Sequence, residues 1–133
     1  MNRALLCGTV EGLASGYGYN FTLNDKSYYP ATISRYPAAF MSQPEFSSIE
    51  GRKNGRITYK VALTLAHQAA KLPPTERNDL LAQMEVDLTQ IFIGLSQAQF
   101  VAVVKNLTIR PLDGIDTHGA LAMEAVAYVE TIF

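Results

Sequence analysis

His67, His118 and Cys7 are the side chains from which a metal site or an activated nucleophile would most readily be built, and their spacing argues against both. They stand far apart, with neither His-x-x-x-His nor Cys-x-x-Cys spacing, whereas zinc needs three or four such ligands brought together. Asp113, Asp116 and His118 fall within six positions of one another. A catalytic triad, however, needs a nucleophile, a base and an orienting group converging in space, and no Gly-x-Ser-x-Gly elbow or oxyanion loop occurs. The stretch 113–119 therefore reads as a polar hairpin tip. Gly12, Gly16 and Gly18 follow a helical pattern instead of a strand, so they do not form a pyrophosphate cradle. Glu124 and Glu130 on one strand face would stand about 20 Å apart, too far for a glycosidase pair. Cys7 reads as a small buried side chain. The tyrosines, several of them in the first third, read as edge and core aromatics. No catalytic residue, metal or cofactor is expected, and the chain is not expected to be an enzyme.

The composition is that of an ordinary globular domain, 48% hydrophobic and 17% charged over 133 residues, which suits a single domain spanning 1–133. With a net charge of -1 and an isoelectric point near 6.1, the molecule lacks the basic field that phosphate binding needs. Sequence-specific nucleic-acid binding is not expected. The one basic cluster, Arg52, Lys53 and Arg56 around Asn54-Gly55, reads as a solvated turn. A lone cysteine, no secretory leader and no long apolar run point to a cytoplasmic protein without a membrane partner.

The elements follow from periodicity. Asn2 is placed to cap a helix in which Leu6, Val10 and Leu13 recur on one side, weakened by Gly8 and Gly12. Tyr19 to Leu23, Asn24-Asp25 and Tyr28 to Ile33 suggest a hairpin, with Pro30 at a strand start or edge. Residues 37–50 show no period and read as irregular or as an edge segment. Ile57, Tyr59, Val61, Leu63 and Leu65 alternate with smaller or polar residues, the signature of a strand with one buried face. Pro73-Pro74 then introduces a helix over about 75–95, with Glu76 and Asp79 in its first turn. Leu80, Leu81, Met84, Leu88, Ile91, Phe92 and Leu95 occupy an arc of roughly 120° on it, the width of a core face. Ala82, Val86 and Ile93 form a second apolar stripe on its far side. Phe100 to Val104 and a returning Leu107 to Leu112 precede a long final strand, Ala120 to Phe133. Its Met123, Ala125, Ala127, Val129 and Phe133 face one way, and Glu124, Val126, Tyr128, Glu130 and Ile132 the other. The expected fold is α+β: a mixed, mainly antiparallel sheet, a short N-terminal helix and a long helix packed on it, and a C-terminal β-hairpin.

This order of elements resembles the tail-terminator proteins of long-tailed phages, the lambda-like family, and its neck-protein relatives. Tyr28-Tyr29-Pro30-Ala31-Thr32-Ile33 is similar to that family's aromatic-proline lead into a strand, Tyr59 to Leu65 to its central strand, and Ala120 to Phe133 to its closing strand. The resemblance implies a non-enzymatic virion or prophage protein. It would form a ring, usually of six subunits, that caps the tail tube and joins it to the head, with tail-tube and head-connector proteins as partners. It implies assembly in the cytoplasm of a bacterial host and residence in the virion tail or neck. In such a ring apolar surface left open on the monomer is covered by neighbours. Ala82, Val86 and Ile93, together with Val126, Tyr128 and Ile132, are the expected contact residues. The oppositely charged turns carrying Arg52, Lys53 and Arg56, and Asp113, Asp116 and His118, are expected to project toward neighbours, tube or connector. The same elements would also serve a small ferredoxin-like ligand-binding or regulatory domain.

Overall fold

A computed structural model describes residues 2–24, 35–51, 55–112 and 120–133. The elements run α1 (Asn2–Gly16), β1 (Asn20–Asn24), β2 (Ala38–Ser42), β3 (Glu45–Glu50), β4 (Arg56–Gln68), α2 (Pro74–Ser96), β5 (Val101–Leu112) and β6 (Ala120–Ile132). The sheet is ordered β1-β2-β4-β6-β5, with β3 also on β4. Only β1 and β2 run parallel; the other described pairs are antiparallel. The class is α+β, as the residue pattern indicates.

The centre is the ladder of β4 with β6, in register from Arg56↔Ile132 to Gln68↔Ala120 without a shift. Because side chains alternate across a strand, Tyr59, Val61, Leu63 and Leu65 stand beside Val129, Ala127, Ala125 and Met123, and all are buried. Both helices cover this face. From α2 come Met84, Leu88, Ile91, Phe92 and Leu95, and from α1 Leu6, Val10 and Ala14, joined in one core. Gly94 lets the helices approach: a Cβ there would lie 2.8 Å from Leu13 Cδ2. The helix over 74–96 thus seats the face expected of it. Ala82, Val86 and Ile93 point outward, the last two 54% and 44% exposed.

Three expectations are corrected, and a fourth extends past the described residues. Residues 37–50 are not irregular, and the edge reading holds for only part of them: β2 and β3 run in succession antiparallel along one side of β4, β3 as an edge strand and β2 with β1 beyond it. They lack alternation because four of the five residues of β2 are buried, whichever face they occupy, while β3 is exposed at every residue. A period of two appears only when one face is dry and the other wet. Asn2 does not cap α1. It lies within the helix and is buried, donating through Nδ2 to Thr131 Oγ1 at 2.9 Å and to the Ile132 carbonyl at 3.1 Å. The stretch 100–112 does not fold back on itself. Val101 to Leu112 is one strand, with Asn106 at φ 58° and a register shift between Lys105 and Thr108; asparagine tolerates that left-handed backbone, so a bulge absorbs what looked like a turn. Finally, β1 pairs in parallel with β2, Asn20↔Ala38 to Asn24↔Ser42. The Asn24-Asp25 turn and the Tyr28 to Ile33 strand expected to complete its hairpin, Pro30 included, extend beyond the described residues.

The two sides of α2 make opposite predictions for stability. Leu88→Ala removes a fully buried side chain and should cost about 2–5 kcal/mol in denaturant unfolding, whereas Val86→Ser should change stability by no more than about 0.5 kcal/mol. Comparable losses at both positions would mean that the helix is seated on a different face.

Candidate functional site

The residues expected to meet partners do not form one cluster. Ala82, Val86 and Ile93 lie on the outer side of α2, opposite its seat on the sheet. Arg56, Val126, Tyr128 and Ile132 lie on the second face of the sheet, as the registers Arg56↔Ile132, Lys60↔Tyr128 and Ala62↔Val126 require. Arg52 and Lys53, like Asp113, Asp116 and His118, lie outside the described residues.

That second face divides in two. Near β2, Ala38, Phe40, Ala66 and Ala122 form a small buried cluster with Tyr36 and Leu112 against it. Toward the other end, none of the described elements lies over Lys60, Ala62, Val126 and Tyr128, which are half-buried, and Ile132 is 40% exposed. Ion pairs lace this half. Glu130 receives Arg56 at 2.6 Å and Lys105 at 3.4 Å, and Glu124 receives Arg110 at 3.1 Å. The carboxylates sit low, 16% and 13% exposed, beneath cations that are 49–71% exposed. The hydrogen bond from Arg56, helped by Lys105, holds the Glu130 carboxyl below its ordinary range.

A separate polar group lies on the helix side. The Tyr19 hydroxyl donates to Asp87 Oδ2 at 2.7 Å and stands 2.9 Å from His67 Nε2, while Gln83 Nε2 donates to Asp87 Oδ1 at 2.9 Å. The rings of Tyr19 and His67 meet edge to face at 5.3 Å. Tyrosine has one proton to give, and it goes to the carboxylate; His67 Nε2 must therefore carry hydrogen and donate to the tyrosine oxygen. The chain joins the segment after α1, the end of β4 and the middle of α2. Burial, then the hydrogen bond and charge of Asp87, push the Tyr19 hydroxyl well above its ordinary value. Burial pushes His67 down, against the pull of Asp87.

Those directions decide what the group can do. A tyrosine acting as base or nucleophile needs a lowered pKa, and this one is raised; the chain is a buried polar lock between elements. Sequence separation hid it, since Tyr19, His67 and Asp87 share no local motif. A signal was nevertheless present: His67 continues the buried phase 59, 61, 63, 65 of β4, and Asp87 borders the apolar arc of α2, next to Leu80. Burial also raises the half-buried Cys7 thiol, with Arg3 pulling the other way. Among the described residues no group of three or more His, Cys, Asp or Glu side chains could hold a metal ion, and no described helix is long and apolar enough to cross a membrane. The chain matches no protein-family model and no curated protein sequence.

Two measurements test the lock. Tyr19→Phe leaves Asp87 short of a donor and His67 without its acceptor, and should cost about 1–3 kcal/mol. Because His67 binds a proton less readily folded than at its ordinary value of 6.5, acid favours the unfolded state. Its contribution is intact above that pH and is lost as pH falls from about 6.5 toward the depressed folded value. Stability followed from pH 7.5 to 5 should therefore decline more steeply in the wild type than in His67→Gln; parallel curves would show that the imidazole is not held neutral.

Proposed function

We propose that this chain is a non-enzymatic structural protein of a phage or prophage: a tail-terminator or neck subunit that forms a ring, caps the tail tube and joins it to the head. The observation that carries the reading is the half-open second face of the sheet, where Val126, Tyr128 and Ile132 stand among paired charges while both helices lie on the other side. None of the described elements covers that half of the face, or the apolar stripe Val86 and Ile93 on the outside of α2. In a closed ring each subunit meets its neighbours through two different patches, and both surfaces would be covered. The element order supports the reading as well: of the three stretches that carry the resemblance to tail terminators, Tyr59 to Leu65 lies in β4 and Ala120 to Phe133 takes in β6, with the long helix between them in sequence, and Tyr28 to Ile33 lies outside the described residues. The partners would be further copies of the chain, the tail tube and the head connector. Assembly would take place in the bacterial cytoplasm, before residence in the tail or neck.

One observation favours a second reading. Strand β4, helix α2 and strand β5 form a split β-α-β unit with β6 inserted between the strands, the half-motif of ferredoxin-like ligand-binding domains. The first half of the chain does not repeat it among the described residues, where β1 and β2 are parallel neighbours.

Light scattering and negative-stain microscopy of the purified chain separate the two. A ring of fixed stoichiometry is expected, and Arg52→Glu with Lys53→Glu should weaken assembly or tail joining while the monomer's melting temperature stays unchanged. A monomer or dimer whose melting temperature rises with a small ligand would replace the ring with the second reading.

A further inference from the structure

Two of the strands that have a single neighbour among the described residues, β3 and β5, carry opposite charges at matched spacing. Strand β3 is bonded only to β4 among the described residues and is exposed throughout; its Glu45 stands opposite Lys60 and its Glu50 opposite Arg56, on the second face of the sheet. At the far edge β5 is bonded only to β6, and its Lys105 stands opposite Tyr128 and its Arg110 opposite Glu124, on that same face. A spacing of five residues would normally put two side chains on opposite faces of a strand. Each strand instead carries a register shift between its two charges, at Phe46/Ser48 in β3 and Lys105/Thr108 in β5, and the shift returns both to one face. The acidic and basic edges therefore present their charges alike. Phe46 and Ile49 on β3, 57% and 56% exposed, and Val103 on β5, 41% exposed, add uncovered apolar surface to both edges.

We infer that β3 of one copy of this chain docks along β5 of the next, Glu45 against Arg110 and Glu50 against Lys105. The inference rests on the ring reading for its purpose and on the two edges for its geometry. The directions agree: β3 opposes β4, β4 opposes β6 and β6 opposes β5, so β3 and β5 meet antiparallel when one sheet continues into the next. The match also fixes an offset. Glu45 lies in the row of Lys60 and Arg110 in the row of Thr64, so neighbouring copies are displaced by four residues, about 13 Å, along the strands. Strands inclined to the assembly axis, as in a closed barrel, absorb such a displacement. Arg110 spends its Nε and Nη2 on Glu124 Oε1, and a guanidinium has donors left for a second carboxylate. Pro111 has no N–H, so any shared backbone ladder ends before it. The contact is heterologous, which lets it repeat.

Sedimentation of wild type and edge variants tests this. Glu45→Gln with Glu50→Gln removes charge without placing like charges opposite Lys60 and Arg56, and should weaken self-association at least about tenfold. The decisive arm mixes Glu45→Lys/Glu50→Lys with Lys105→Glu/Arg110→Glu, each first shown to be folded by circular dichroism. Neither should assemble alone, because each sets like charges against each other, and the mixture should assemble in alternation, since the wild-type edges attract one another and so do the two reversed edges. If the Gln variant assembles like the wild type and the mixture yields no complex, the edge pairing is wrong, while a wild-type ring under the microscope would leave the proposed function standing. A wild-type chain that never associates overturns both.

Discussion

Everything in this molecule hangs on the unbroken register between β4 and β6. A slip of one residue along that ladder would turn every side chain of one strand to the other face. Ala125, Ala127 and Val129 would leave the core, and Glu124 and Glu130 would be driven beneath the helices. Burying unpaired carboxylates there is costly enough to exclude the alternative. Correct phase gives each face its character: a dry side on which α1 and α2 close one core, and a side where short carboxylates lie under long cations. The strands outside the ladder inherit that division. Each of β2, β3 and β5 is bonded to one ladder strand and needs only to match its phase, which β3 and β5 do with register shifts.

The first helix is held by fastenings more than by its own propensity. It contains Gly8 and Gly12, has no acidic residue in its first turn and no basic one in its last, and short helices of that kind are unstable alone. Tertiary contacts grip it at both ends. At its start Asn2 reaches Thr131 and the Ile132 carbonyl, Thr131 in turn donates to the Ile57 carbonyl at 2.8 Å, and the Phe133 amide reaches Gly55 at 3.0 Å. Just past its end, Tyr19 enters the chain with His67 and Asp87. The start of α1, the end of β6 and the start of β4 are thus stitched together, while the opposite end of β4 is tied to α2. Among the described residues no buried side-chain polar atom is left without a partner, the condition under which buried polar groups rigidify a fold.

What the amino acids disclosed and what they concealed follow from this construction. Strands β4 and β6 and helix α2 were legible because each has one face of consistent character, and a face of consistent character is what periodicity reports. β2 and β3 were hidden for opposite reasons, one being almost wholly buried and the other wholly exposed, so neither alternates. Asn2 suggested a cap because the residue type suits one; only the arrival of β6 from the far end of the chain gives its amide a better use. The polar lock was concealed by distance, although His67 interrupts the buried phase of β4 and Asp87 borders the core face of α2. The outward stripe of Val86 and Ile93 and the mixed face of β6 were visible from the start, yet local pattern states only that they are uncovered. In the ring reading a second surface covers them, and one sequence read along its length does not say which residues on distant strands become neighbours.

The ion pairs of the open face bear on the proposed assembly through specificity more than through strength. Arg56, Lys105 and Arg110 are half exposed or more, and pairs of that kind add little to stability. If stability were their purpose, apolar cross-strand pairs in the same rows would serve better. Their effect on encounters is larger. A sheet face laced with fixed charges stacks poorly on an arbitrary apolar surface, and like charges brought into register repel. In the ring reading, the attraction between copies then comes from the uncovered apolar residues, and the order in which copies may meet comes from charge: the acidic edge of β3 accepts the basic edge of β5 and rejects another β3. A chain with one edge of each sign can add only in one direction. That restriction is what a closed ring requires and what indiscriminate aggregation of open sheet edges lacks.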